Sequence, residues 1–123
     1  MTVRQLCEKF NFTVAAGENG LEGQVTGCYV CDLLSLVMGR AQEGDAWVTV
    51  QANVNVAAVA ALAGVACVIL PENIKPEQIT AEKADAEGIP VISSEKTAFE
   101  LAVIFGDFVG RGILDAPHFA IKE

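Results

Sequence analysis

Apolar residues recur at helical spacing from the start of the chain. Val3, Leu6, Cys7 and Phe10 follow Thr2 and Gln5, which stand in the order of a capping box, so a short first helix is predicted. Residues 12–15 are apolar, and the glycine-rich stretch 17–23 reads as an exposed loop. Residues 24–30 then alternate like a strand. Asp32 stands where it can cap a helix bearing Leu33, Leu34, Leu36, Val37 and Met38, and Glu43, Gly44 and Asp45 form a turn. From there the pattern is regular: strand 47–50, helix 53–63, strand 66–70, helix 76–87, strand 90–92 and a helix opening at Ser94. Gly64 and Gly88 suit the left-handed residue that ends a helix. Pro76 suits a first helical position, with Ile74 stapled onto Ile79 across a cap at Lys75. Strands of unbroken Val, Ile and Leu alternating with longer helices predict an α/β fold, a mostly parallel sheet flanked by helices and built from repeated βα units. Residues 1–108 form one domain by this reading. Residues 109–123, which hold Gly110, Gly112 and Pro117, read as a flexible or dimer-docking tail.

Composition and charge narrow the partners. The 123-residue chain carries 16 acidic and 8 basic side chains, a formal charge of -8, so a polyphosphate backbone is repelled and no nucleic-acid partner is expected. Apolar residues make up 52% of the chain. That is enough to suggest a self-association surface, so a homodimer is expected, with Phe99, Phe105, Phe108 and Ile113 as its candidate contacts. The longest apolar run, 56–70, would span about 22 Å as a helix against a hydrocarbon core of about 30 Å, so no membrane partner is expected. The first residues show no basic segment leading into an apolar block, and four cysteines without one read as reduced thiols in a cytoplasmic protein.

Several chemistries drop out on spacing. None of the five lysines follows a glycine, which a P-loop requires, and the glycine clusters lack Rossmann spacing. The single histidine, His118, lies in the tail. Cys28 and Cys31 form a CxxC pair at a strand-to-helix junction, where a helix N-terminus would lower a thiol pKa; the alternative is that all four cysteines are small core residues. The carboxyl ends of the strands offer the other constellation. Ligands of open α/β sheets bind there, and those ends present Gln51, Asn53 and Asn55, then Glu72 and Asn73, then Ser93 and Ser94, with Asp32 opening a further helix. Amides and hydroxyls with few charges suit recognition of a small polar or anionic molecule. Asp32, Gln51, Asn53, Asn55, Ser93 and Ser94 are therefore the candidate ligand contacts, although Asp32, Asn53 and Ser94 could equally be helix caps alone. No cofactor is expected.

The segments 25–35, 44–51, 55–60 and 87–93 together resemble a DRTGG-type domain, similar to the N-terminal non-catalytic domain of HPr kinase/phosphorylase. The likeness runs over roughly residues 1–106. Tyr29, Asp32, Gln51 and Asn55 match the pattern of small stand-alone relatives, and Cys31 stands where those relatives often have serine. The pentapeptide that names the domain is absent: Ala52 and Asn53 stand about where Asp-Arg would be, and Leu70, Pro71 and Glu72 where Thr-Gly-Gly would be. The resemblance implies an α/β fold and a regulatory or accessory module of the kind found beside CBS domains or catalytic units. It implies no kinase activity, because the kinase P-loop belongs to a separate domain.

The leading expectation is thus a non-enzymatic regulatory or accessory domain that senses a small polar or anionic ligand or binds a partner, which could be a partner enzyme. The alternatives are a thiol-redox or metal-handling accessory protein using Cys28 and Cys31, and an enzyme acting on a small polar substrate at Asp32, Gln51 and Asn55.

Overall fold

A computed structural model describes residues 1–109, Phe108 by its backbone alone. The predicted tail, with Ile113, falls almost wholly outside the described residues. Five strands form one sheet: β1 (Thr13–Ala16), β2 (Gly27–Val30), β3 (Asp45–Val48), β4 (Cys67–Leu70) and β5 (Val91–Ser93). Among the described residues five α-helices accompany them: α1 (Val3–Phe10), α2 (Leu34–Arg40), α3 (Val54–Ala63), α4 (Gln78–Glu87) and α5 (Ala98–Phe108). The strand order is β1-β5-β4-β3-β2. Strands β2 to β5 run parallel, while β1 lies antiparallel to β5 with a bulge between Val14 and Ala16. The fold class expected from the unbroken apolar runs is the one observed.

Those runs are explained by burial on both sides of the sheet, since successive residues of a strand point to opposite faces. On one face Ala46, Val48, Cys67, Ile69 and Ile92 pack with Val3 and Leu6 of α1 and Leu101 and Phe105 of α5. On the other, Trp47, Val68, Leu70 and Val91 pack with Val37 of α2, Val56, Val59 and Ala60 of α3, and Ala84 of α4. Every crossover from β2 through β5 steps the same way across the sheet, so α2, α3 and α4 share one face, and after β5 the chain returns to the face that α1 covers. Trp47 is the largest wholly buried side chain, and its indole Nε1 donates to the Cys31 carbonyl at 2.8 Å. Truncating such a residue to alanine costs about 3 to 5 kcal/mol.

Local chemistry sets the ends. Thr2 and Gln5 form the capping box predicted for α1, and the Asn53 side chain caps α3 by accepting from the Asn55 amide. Gly64 and Gly88 end α3 and α4 in the left-handed region as expected. Gly17, also left-handed, sits so close to the Ile89 carbonyl that a Cβ would collide with it. The stretch 17–23 is accordingly not a free loop: it contains a 3-10 turn (Glu18–Gly20), buries Leu21, and the Gly17 amide donates to Asp85 of α4 at 2.7 Å.

Other expectations are corrected. Helix α2 starts after Leu33 without a side-chain cap, because the Asp32 carboxylate is engaged elsewhere. Helix α4 starts after Glu77, so Pro76 precedes the helix, and Ile79 is 57% exposed instead of stapled to Ile74. Helix α5 starts three residues later than Ser94, where Thr97 and Glu100 form a second capping box. Phe105 belongs to the core and offers nothing to an interface, whereas Phe99 is 76% exposed. No helix among the described residues is long and apolar enough to cross a membrane.

Candidate functional site

The carboxyl ends of the parallel strands carry all six candidate residues, but in two separate groups. Asp32 follows β2, and its Oδ1 accepts the Thr49 hydroxyl and the Val50 amide from the segment after β3, both at 2.9 Å. The Gln51 side-chain amide donates to the Asp32 carbonyl at 3.1 Å, the Gln51 backbone amide donates to Thr49 Oγ1, and Asn53 Nδ2 donates to Gln51 Oε1 at 3.0 Å. Asn53 Oδ1 in turn accepts from the Asn55 amide. The result is a relay from Asp32 through Thr49, Gln51 and Asn53 to the first turn of α3. It ties the β2–α2 and β3–α3 connections together and consumes the polar capacity of Gln51 and Asn53 internally. Thr49, only 1% exposed, sits at its centre. Sequence reasoning placed Thr49 inside a strand and missed it; the signal available was a lone hydroxyl at the end of an otherwise apolar strand.

The second group lies at the ends of β4 and β5. Ser93 is buried, donates to the Ile74 carbonyl at 2.8 Å and accepts from Lys75 Nζ, so its hydroxyl is spent. Ser94 is 4% exposed and accepts from the Lys96 amide at 3.1 Å, while its own proton has no acceptor among the described residues. Beside these serines a cavity of about 500 Å³ opens between the β5–α5 loop and the turn from α1 to β1. Asn11 and Asn73 line it, both with left-handed backbone that asparagine tolerates better than most residues. Thr13 and Lys96 add a hydroxyl and an ammonium, Glu95 and Glu100 add carboxylates. Glu100 is held below its ordinary pKa, first by the Thr97 amide it caps. The wall includes Phe10 and Phe12, whose rings stack at 5.7 Å, with Lys9 Nζ over the Phe10 ring at 5.5 Å.

The cysteines form no dithiol. Cys28 packs into the core under α1 and α5, whereas Cys31, three residues on along an extended run, packs toward the opposite face beside Trp47. Three extended residues span about 10 Å, beyond the Cα separation a disulfide bridges. Burial, aided by Asp45, pushes the Cys28 thiol up to about 12, and burial pushes Cys7 up to about 11, the reverse of the activation that a redox site needs. Cys67 is raised by its complete burial. Among the described residues no three His, Cys, Asp or Glu side chains come together as a metal site.

A family model, the DRTGG domain, matches residues 5–106. No curated protein sequence matches the chain. Among solved structures, the chain is similar to the crystal structure of the CBS and DRTGG domains of the regulatory region of Clostridium perfringens pyrophosphatase, complexed with its activator, diadenosine tetraphosphate. The two share 14% identity with a TM-score of 0.54, and the match covers 85% of this chain and 50% of that one.

Proposed function

Because this chain belongs to the DRTGG domain family, we propose that it is a regulatory or accessory module without catalytic activity of its own, and that it senses a small polar or anionic molecule at the carboxyl edge of its sheet. The observation that carries this reading is the polar cavity beside Ser93 and Ser94 at the edge where open α/β sheets bind ligands, with Asp32, Gln51, Asn53 and Asn55 in a separate group along the same edge. The regulatory region with the similar fold is a chain twice as long as the matched part, crystallised with a nucleotide activator, and that supports sensing over catalysis. The chemistry at the edge points the same way. Its one carboxylate in the relay, Asp32, orients a loop, and the hydroxyls that meet a carboxylate or an amine there, Thr49 and Ser93, are buried. Thermal unfolding against a panel of polar metabolites, with diadenosine tetraphosphate and AMP included, tests the reading. A ligand at a hundred times its Kd adds about 2.7 kcal/mol to stability, which appears as a clear rise in Tm; a panel in which nothing raises Tm overturns it.

A second reading, self-association, is favoured by a separate observation. Val30, Leu33, Leu36, Met38 and Val50 are exposed beside the relay, Leu33 by 62%, around the open edge of β2. This surface is proposed as the contact of a homodimer. Light scattering should give a dimer at micromolar concentration and a monomer for Leu33→Glu, and a monomeric wild-type chain removes the reading.

A further inference from the structure

The two halves of the carboxyl edge differ for a topological reason. Where neighbouring strands send their helices to the same face, as β2, β3 and β4 do, the connections lie side by side and close on each other. The loops after β4 and β5 are likewise tied, the Asn73 amide donating to the Ser94 carbonyl at 2.7 Å and the Glu72 amide to the Lys96 carbonyl at 2.9 Å, but β5 feeds α5 onto the opposite face and borders the antiparallel β1, so on that side its loop meets the α1–β1 turn across a crevice. The cavity of about 500 Å³ lies in this crevice, a volume within the usual range for small-molecule sites.

Its lining defines what fits. The hydroxyls of Thr13 and Ser94 and two carboxamides, with Glu95 and Glu100 as acceptors, suit a molecule rich in hydroxyl groups. Lys96, the cation among the lining residues, suits an anion. Arg4 and Lys83 are paired with Glu22 and Glu87, but Lys75 reaches only the neutral Asn73 and Ser93 oxygens. Lys96 makes no ion pair or side-chain hydrogen bond among the described residues and acts on Glu100 only through space. Beside it, the buried Ser94 hydroxyl has a proton to give. The aromatic wall is not open for stacking a flat ring, because Phe12 and Lys9 already lie against Phe10.

We infer that this crevice binds a hydroxyl-rich small molecule carrying one anionic group, a sugar phosphate or the sugar-phosphate part of a nucleotide, with Lys96 and Ser94 on the anion and the asparagines and carboxylates on the hydroxyls. The inference rests on the ligand-sensing reading above and gives it a place and a chemical class. Isothermal titration of the whole chain with ribose 5-phosphate, AMP, ribose and inorganic phosphate tests it. Ribose 5-phosphate and AMP should bind saturably and within about tenfold of each other, and ribose or phosphate alone at least about tenfold more weakly, the loss that follows from leaving one charged hydrogen-bonded group unmade. Lys96→Gln and Ser94→Ala should each weaken binding by about tenfold, while the charge-matched control Lys83→Gln leaves it unchanged. Circular dichroism confirms that each variant is folded.

Binding of AMP without ribose 5-phosphate would overturn the hydroxyl-rich class, as would phosphate binding as tightly as its sugar ester. Unchanged affinity in both Lys96→Gln and Ser94→Ala would overturn the location. If neither sugar phosphate nor nucleotide binds while another metabolite raises Tm, the chemical class fails and ligand sensing stands; if nothing raises Tm, sensing fails as well.

Discussion

The relay around Asp32 and the crevice around Ser94 occupy the same edge of the same sheet, yet one is closed and the other open. In the relay nearly every polar group named has its partner in a neighbouring connection, so side chains that looked like ligand contacts serve as ties between loops. In the crevice the backbones are tied, with the Asn73 amide donating to Ser94 and the Glu72 amide to Lys96, while the side chains keep unused capacity. Polar residues at strand ends stay available where their loop borders the α1–β1 turn and are consumed where it borders only another βα connection. Residue type alone does not distinguish the two.

The comparison can be broken most forcefully from the relay side. Asp32→Ala leaves the buried Thr49 hydroxyl and the Val50 amide without their acceptor, and a lost hydrogen bond to a charged group costs about 1.5 to 3 kcal/mol. Chemical denaturation should show a lower midpoint of that size, and a change below about 0.5 kcal/mol would mean that the relay is not a tie. Ser94→Ala, by contrast, removes one accepted bond at the rim of a cavity and should cost about 1 kcal/mol or less. A smaller effect sharpens the contrast. In a double-mutant cycle, Asp32→Ala and Thr49→Val should be non-additive by about 1 kcal/mol, the coupling expected of groups in one network. Ser94→Ala paired with Asp32→Ala should be additive within about 0.5 kcal/mol, since no bond joins the two groups. Coupling across the edge would merge the two regions into one.

How much of this was legible depended on whether the cause was local. The parallel strands were, because a strand buried on both faces must be apolar throughout, as residues 66–70 are. Strand β1 was not: it is short, antiparallel and bulged, with neither alternation nor continuous burial to mark it. The caps divide the same way. Asn53 caps its own helix, as a local rule predicts. Asp32 obeys the same rule in sequence but finds stronger partners in Thr49 and Val50, seventeen and eighteen residues away. Ser94 was misplaced because the chain needs three more residues to turn from one face of the sheet to the other before α5 can begin. The better cap, Thr97 with Glu100, was already present in the sequence. Of the candidate site, the edge was legible and its division was not, because the open part is walled by the α1–β1 turn that the antiparallel β1 brings beside β5.

The least disruptive test belongs to the crevice and uses pH. Glu100 accepts from the Thr97 amide, and that bond, with the Thr97 side-chain contact and the through-space effect of Lys96, holds its carboxyl below the ordinary value of 4.5. A carboxyl with a depressed folded-state pKa contributes stability that is fully present above its unfolded pKa and is lost as pH falls through the folded one. Stability should therefore decline as pH drops below about 4.5, and part of that decline should vanish in Glu100→Gln, which keeps an oxygen for the Thr97 amide but cannot titrate. Because Glu100 is fully exposed to solvent, the change in slope is small. Denaturation midpoints measured from pH 6 to pH 3 should converge for the two chains at the acid end. An anion on Lys96 would raise the folded-state Glu100 pKa toward its unfolded value by like charge, so with saturating ribose 5-phosphate the Glu100-dependent part of the decline, read as the difference between wild type and Glu100→Gln, should shrink. A difference that does not shrink with the ligand separates Glu100 from the anion and places the bound group elsewhere on the edge.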